Sequence, residues 1–248
     1  MKDSTFVAGG VLVAALIGYS ALHQPASTVA APERPAASAS TQPSIWIEPT
    51  PTPSTTPTHP TSPYAAKLAG LTVAPRVHRT DYDRDAFGSS WRDTDHNGCN
   101  QRDDVLVRDA IPGSVTVGRQ GSCDHDVLAG SWLDPYTGRR IDLTDAKAPD
   151  QAQAVQIDHV VPLSEAWSSG AWRWPAERRA EFANDLGELL AVDGPTNASK
   201  GDDDPAAWRP RKAYQCTYAR RWITVKAAWH LDVDASERRA LEEMLGFC

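Results

Sequence analysis

Two stretches decide how this chain is read: Ile157-Asp-His-Val-Val-Pro-Leu163 and Glu188-Leu-Leu-Ala-Val-Asp-Gly-Pro-Thr-Asn-Ala-Ser-Lys-Gly-Asp-Asp-Asp204. The first, with the Val-Gln pair before it, reads as a strand by its β-branched content. Residues 188–194 read as a second strand ending in a turn. A loop carrying Asn197 and Lys200 follows. Neighbours in a regular strand point to opposite faces. Asp158 and His159 therefore converge only where the strand ends, twists or bulges, and Pro162 just behind them makes a strand end the expectation.

Asp158, His159 and Asn197 form a minimal set for phosphodiester hydrolysis. A water must lose a proton as it attacks phosphorus, and a neutral imidazole suits that task. Charge builds on the phosphoryl and departing oxygens, which a hard divalent cation offsets. Carboxylate and carboxamide oxygens are suitable ligands for one Mg²⁺ or Mn²⁺, with water and phosphate in the other positions. An imidazole of ordinary pKa predicts activity that falls below about pH 6.5.

Outward from this centre, residues 101–110 read as a helix stopped by Pro112. Residues 115–117, 127–133 and 140–143 read as short strands, the last two joined by the turn Asp134-Pro-Tyr-Thr-Gly138. A helix opens at Pro175 and runs to about Leu186. Residues 214–230 read as a helix with Tyr214, Tyr218, Trp222, Val225 and Trp229 on one face. A last helix starts after Asp234, with Glu237 completing a capping-box pair. The mixture predicts an α+β fold.

The 248-residue chain is not uniform. Residues 1–23 contain an uncharged apolar run and read as a signal peptide or an N-terminal membrane anchor. Residues 24–63 are rich in Pro, Ser and Thr and read as a disordered linker, with Ile45-Trp-Ile47 an incidental apolar island. Residues 64–248 are one domain. All four cysteines, Cys99, Cys123, Cys216 and Cys248, lie in it. An even count after an export signal predicts two disulfides, for which the sequential pairing Cys99–Cys123 and Cys216–Cys248 is the choice among three. The second bond would staple the last two helices. The absence of any C-x-x-C spacing argues against a four-cysteine zinc site.

The net charge of −7 does not favour nucleic acid globally. Between Pro205 and His230, however, there are six basic residues and no acidic one. Of these, Arg209, Arg211, Lys212 and Arg220 are candidate phosphate contacts. A solvated helix face is the plainer reading. His96 and Asn97 read as turn formers, Arg102 as a phosphate clamp or a partner of Asp103 or Asp109, and Asp202–Asp204 as a charged loop. Trp167, Trp172 and Trp174 read as core or rim.

The pattern D-H-[IV]-V-P, a following strand and N-x-S-K-G-D resembles the HNH nuclease motif. Further matching blocks are Phe87-Gly-Ser-Ser-Trp91, His96-Asn-Gly-Cys-Asn-Gln-Arg102, Gly130-Ser-Trp-Leu-Asp-Pro-Tyr-Thr-Gly138 and Tyr214-Gln-Cys-Thr-Tyr218. Residues 81–248 together resemble exported actinobacterial HNH endonuclease-like proteins related to the C-terminal nuclease domain of the GmrSD restriction system. The resemblance implies a small antiparallel sheet with a ββα-metal core and surrounding helices. It implies His159 as general base, and Asp158 and Asn197 as ligands of one Mg²⁺ or Mn²⁺. Lys200 then approaches a phosphate or stabilises the loop. The middle residue of the motif, normally an asparagine holding the histidine loop, is Glu188 here. Either Glu188 does that work as a carboxylate or Asn184 substitutes.

The leading expectation is an exported endonuclease of DNA, with RNA as a further candidate, and with little sequence preference, since no recognition module is visible. It needs no obligate protein partner and meets the membrane only through its N-terminal segment. Two alternatives stand beside it. One is a restriction-type nuclease against modified DNA, which would need an NTPase partner domain. The other is a non-catalytic envelope or surface binding module on a Pro-rich stalk.

Overall fold

The computed structural model describes residues 62–248; the expected N-terminal segment and nearly all of the linker lie outside them. In chain order the helices are α1 (Pro63–Ala69), α2 (Gln101–Asp109), α3 (Leu163–Ser168), α4 (Ala176–Ala183), α5 (Gly194–Lys200), α6 (Lys212–Trp229) and α7 (Ala235–Leu245). The strands are β1 (Thr116–Gln120), β2 (Cys123–Leu133), β3 (Arg140–Leu143), β4 (Val155–His159) and β5 (Leu189–Asp193). The fold is α+β, with one sheet ordered β1-β2-β3 and a separate antiparallel ribbon of β4 and β5. Among the described residues no helix is long and apolar enough to cross a membrane.

The ribbon organises the core because β5 is buried on both sides. Leu189 and Ala191 pack with Val155 and Ile157 of β4, Val105 and Leu106 of α2, and Trp132 of β2. Leu190 and Val192 point the other way, into a cluster with Phe182 of α4, Tyr218 and Trp222 of α6 and Leu241 of α7. Period-2 alternation thus shares one strand between two apolar clusters. The register pairs His159 with Leu189 and Asp158 with Leu190.

Several sequence expectations shift at their boundaries. The first key strand ends at His159 rather than running to Leu163. There Val160 N–H donates to the Glu188 carbonyl and Val161 N–H to the Glu188 side chain, so the backbone leaves the ladder. The expected loop bearing Asn197 is instead helix α5. Asp193 caps it by accepting from Thr196 N–H at 3.0 Å, and Pro195 sits in its first turn. Gly194 is required at this entry, since a β-carbon there would collide with the Gln153 carbonyl. The folded part starts slightly early: Ser62 caps α1 and Pro63 opens it.

The turn 134–138 connects β2 and β3, which pair antiparallel. Asp134, fully buried, accepts from Tyr136 N–H, Thr137 N–H and Asp193 N–H. One carboxylate therefore locks the hairpin turn to the end of β5. Asp234 and Glu237 form a complete capping box on α7. Both sequential disulfides are present, and Cys216–Cys248 ties α6 to the chain end beyond α7.

Candidate active site

The β4–β5–α5 unit brings Asp158, His159 and Asn197 to one open cleft, whose wall also includes Arg84, Pro162, Leu163 and Asp202. Asp158 and His159 come from consecutive positions yet share it, because β4 ends at the histidine. His159 is about nine-tenths buried. Its Nε2 lies 2.9 Å from the Ala183 carbonyl. A carbonyl only accepts, so Nε2 carries the proton and Nδ1 keeps its lone pair. No described residue bonds to Nδ1, which leaves that lone pair unengaged by protein.

Burial holds the imidazole down at about 4, with smaller pushes in the same direction from the positive charges of Arg84 and Lys200. The Ala183 carbonyl pulls the other way but does not win. The ring is therefore neutral over the physiological range, and the acid limb expected near 6.5 moves down.

Asp158 is buried with both oxygens engaged. Oδ1 accepts from Lys200 Nζ at 2.9 Å and Oδ2 from the Tyr136 hydroxyl at 2.5 Å. Burial raises its pKa, against the lowering effect of Lys200 and Tyr136. Each carboxylate oxygen has two lone pairs, so one on each remains for a further partner. Asn197 Nδ2 donates to Gln156 Oε1 at 3.0 Å, which fixes the amide and leaves Oδ1 without a protein donor. One carboxylate and one amide oxygen on the wall of a common cleft fit a hard divalent cation.

Lys200 itself is wholly buried and donates also to the His159 carbonyl at 2.8 Å. Of its two expected roles, the geometry accommodates the support of the site and not an approach to phosphate. Glu188 is wholly buried as well, and its Oε1 accepts from Val161 N–H at 2.8 Å. It thus holds the backbone just after His159. Burial pushes its carboxyl well above the usual range, against the lowering effect of Lys200 and the Val161 N–H. Asn184 does not substitute: its Oδ1 accepts from Arg92 N–H and its Nδ2 donates to Ala180 O.

The basic stripe does not gather at this cleft. Arg209 bonds to Pro205 O and Glu243, and Arg211 to Pro135 O. Lys212 and Arg220 lie over the rings of Phe247 and Tyr64. Lys226, buried, pairs with Glu165 and Glu237. Arg102 neither pairs with an aspartate nor meets the cleft; it donates to the carbonyls of Ala152 and Val155. Asp202 lines the cleft, whereas Asp204 accepts from Arg76 and from backbone N–H groups. Trp167 packs with Phe87 in the core, whereas Trp172 and Trp174 are partly buried at its rim, Trp174 against Phe182.

Sequence reasoning passed over two residues here. Tyr136 is the donor to Asp158, and its block 130–138 carried the signal only through resemblance. Arg84, which lines the cleft beside His159, had no motif to mark it.

The fold and this cleft define an α+β protein with a ββα unit carrying an acid–histidine pair and an asparagine. A family model described as GmrSD restriction endonucleases, C-terminal domain, matches residues 102–244. The chain belongs to that family, which points to a nuclease, a hydrolase acting on nucleic acid. A protein of Arthroderma benhamiae with the name uncharacterized secreted protein is 43% identical over 204 residues, covering 79% of this chain and 92% of that one.

Proposed function

We propose that the chain is an exported, metal-dependent HNH-type endonuclease that cuts DNA, and RNA as a second substrate, with little sequence preference. The observation that carries this reading is the fixed tautomer of His159, with Nε2 tied to the Ala183 carbonyl and no described residue bonded to Nδ1, on a side chain that lines the cleft shared with Asp158 and Asn197. Nδ1 takes the proton of the attacking water, and the Ala183 carbonyl steadies the imidazolium that results. Asp158 and Asn197 would hold one Mg²⁺ or Mn²⁺ through their side-chain oxygens. When bound, the cation supplies charge neutralisation at the phosphoryl and leaving oxygens. Tyr136 and Lys200 orient Asp158 from behind. Arg84 is the basic side chain placed to meet a phosphate at the cleft wall.

Export is supported by the two disulfides and by the name of the Arthroderma benhamiae relative. The family description supports a restriction-type reading as the second one, in which modified DNA is the target. Nicking assays on plasmid and on single-stranded DNA, with Mg²⁺, Mn²⁺ or chelator, test the proposal. Metal-dependent cutting abolished by His159→Ala is expected. Absence of cutting with every metal would overturn it, and cutting restricted to modified DNA would favour the second reading.

A further inference from the structure

A second cavity adjoins the catalytic cleft, and the reaction outlined above makes no use of it. One wall is the segment 84–91, which contains the block Phe87-Gly-Ser-Ser-Trp91; His159, Leu163 and Ala183 close the other side. Arg84, His159 and Leu163 line the cleft as well, so the two spaces meet at the histidine. Counted out to its mouth, the cavity holds about 410 Å³, in the range of sites for one small ligand.

The segment is anchored at both ends. Asp83 accepts from Asp85 N–H at 2.9 Å and so caps a single 3-10 turn, Arg84–Phe87. Phe87 is buried against Trp167 and Phe182, and the Ala86 carbonyl accepts from Arg179 Nε at 2.7 Å. At the far end Trp91 packs on the cluster that holds β4 and β5, and Arg92 N–H donates to Asn184 Oδ1 at 2.8 Å. Gly88 and Trp91 have φ of +78° and +60°. A bulky residue keeps that left-handed conformation only where its surroundings fix it. Between these anchors Ser89 and Ser90 stand exposed on the cavity rim, and their hydroxyls bond to no described residue.

Charge decides what each space accepts. Arg79 and Arg92, on either side of the segment, pair with Asp81 and Glu177. Arg84 pairs with no described carboxylate; its neighbour is the Tyr82 hydroxyl. It stands at the boundary of the two spaces, where it can meet a phosphate from the cleft side. The Asp85 carboxylate in the cavity wall repels a second phosphate and accepts from N–H groups. The two serine hydroxyls donate or accept as required, and Trp91 supplies an aromatic ring on which a base can stack. The wall therefore suits a neutral, flat group rich in hydrogen-bonding edges, joined to a phosphate at Arg84.

We propose that this cavity is a nucleotide subsite: it takes one unpaired base beside the phosphate held at Arg84, so that the preferred substrate is single-stranded nucleic acid. The proposal rests on the nuclease reading above and names the substrate class of that same site. A base in a duplex has its hydrogen-bonding edge occupied and its faces stacked, and it enters a closed pocket only after leaving the stack. A single strand has no such cost. Hydroxyls that serve as donor or acceptor read base identity loosely, in keeping with little sequence preference.

Fluorescence anisotropy with the full, oxidised chain in chelator tests this by binding alone. At about 0.15 M salt, a labelled DNA strand of about 12 nucleotides should bind about tenfold more tightly than the same sequence as a duplex. A strand of the same length built of abasic residues keeps the phosphates and lacks the bases; it should bind about tenfold more weakly than the complete strand. Ser90→Phe, at an exposed rim position, fills the cavity and should cancel both differences with Tm unchanged. Ser89→Ala combined with Ser90→Ala should reduce them about threefold or more. Equal binding of strand and duplex, equal binding of the abasic strand, or differences that survive both variants would overturn the proposal. Cutting by the wild-type chain with metal is scored separately. A chain that cuts without base-dependent binding sinks the subsite alone, whereas base-dependent binding lost in Ser90→Phe, in a chain that never cuts, sinks the nuclease reading alone.

Discussion

Lys200 Nζ lies 2.9 Å from Asp158 Oδ1, and the lysine side chain is wholly shielded from solvent. Truncation by Lys200→Met leaves a buried carboxylate without its counter-charge. The expected loss is about 3–5 kcal/mol of folding stability, read from denaturant unfolding. A variant that keeps wild-type stability while losing cleavage would instead place Lys200 at the phosphate.

Tyr136→Phe removes the donor to Asp158 Oδ2 with almost no change in shape. A cost of about 1–3 kcal/mol in stability is expected from the unsatisfied oxygen. Cleavage should also need more Mg²⁺ for half-maximal rate, since Asp158 loses its orientation. Unchanged metal dependence would show that the hydroxyl serves packing alone.

The pH dependence follows from the imidazole at about 4. His159 works as a base only when neutral, which holds above that value. Cleavage should stay nearly level from pH 8 down to about 5 and fall as pH approaches 4. An acid limb centred near 6.5 that disappears in no other variant would contradict the burial argument. His159→Ala should lose about 100-fold or more in rate across the range.

Glu188→Gln tests the raised carboxyl. The folded carboxyl lies well above its ordinary 4.5. Its contribution to stability is therefore fully present below the unfolded value and is lost as pH rises toward the folded one. Glutamine is neutral throughout, so the variant should gain on the wild type as pH rises from 5 to 8, with cleavage retained. Glu188→Ala should lose about 1–3 kcal/mol by orphaning Val161 N–H. Parallel stability curves for wild type and Glu188→Gln would refute protonation at this position.

Much of the site was legible because its residues lie close together in the chain. Asp158 and His159 are adjacent, and Asn197 and Lys200 follow the second strand on a single short helix. Hydrophobic patterning located the two strands, while the exact strand end at His159 depended on Glu188 hydrogen bonds that no periodicity encodes. The capping box at Asp234 and Glu237 is legible in the sequence because it is wholly local. Helix α5 is not legible in the sequence, because its start rests on a cap at Asp193 within a Gly-Pro turn that also suits a loop.

The sequence by itself determined the α+β class, the positions of most helices and strands, and the acid–histidine pair with its asparagine. These depend on short-range patterns of side-chain type. Tertiary structure alone decided which atoms are available for chemistry. Tyr136 reaches Asp158 across 22 positions, and Lys200 across 42, so neither bond is visible in local spacing. The Ala183 carbonyl selects the His159 tautomer, and burial lowers the pKa of His159 and raises that of Glu188. Protonation and hydrogen bonding respond to every group packed around a site, whatever its distance along the chain. For that reason the basic stripe, prominent in the sequence, spends its charges on carbonyls, carboxylates and aromatic rings outside the cleft, while Arg84, which no motif marked, lines its wall.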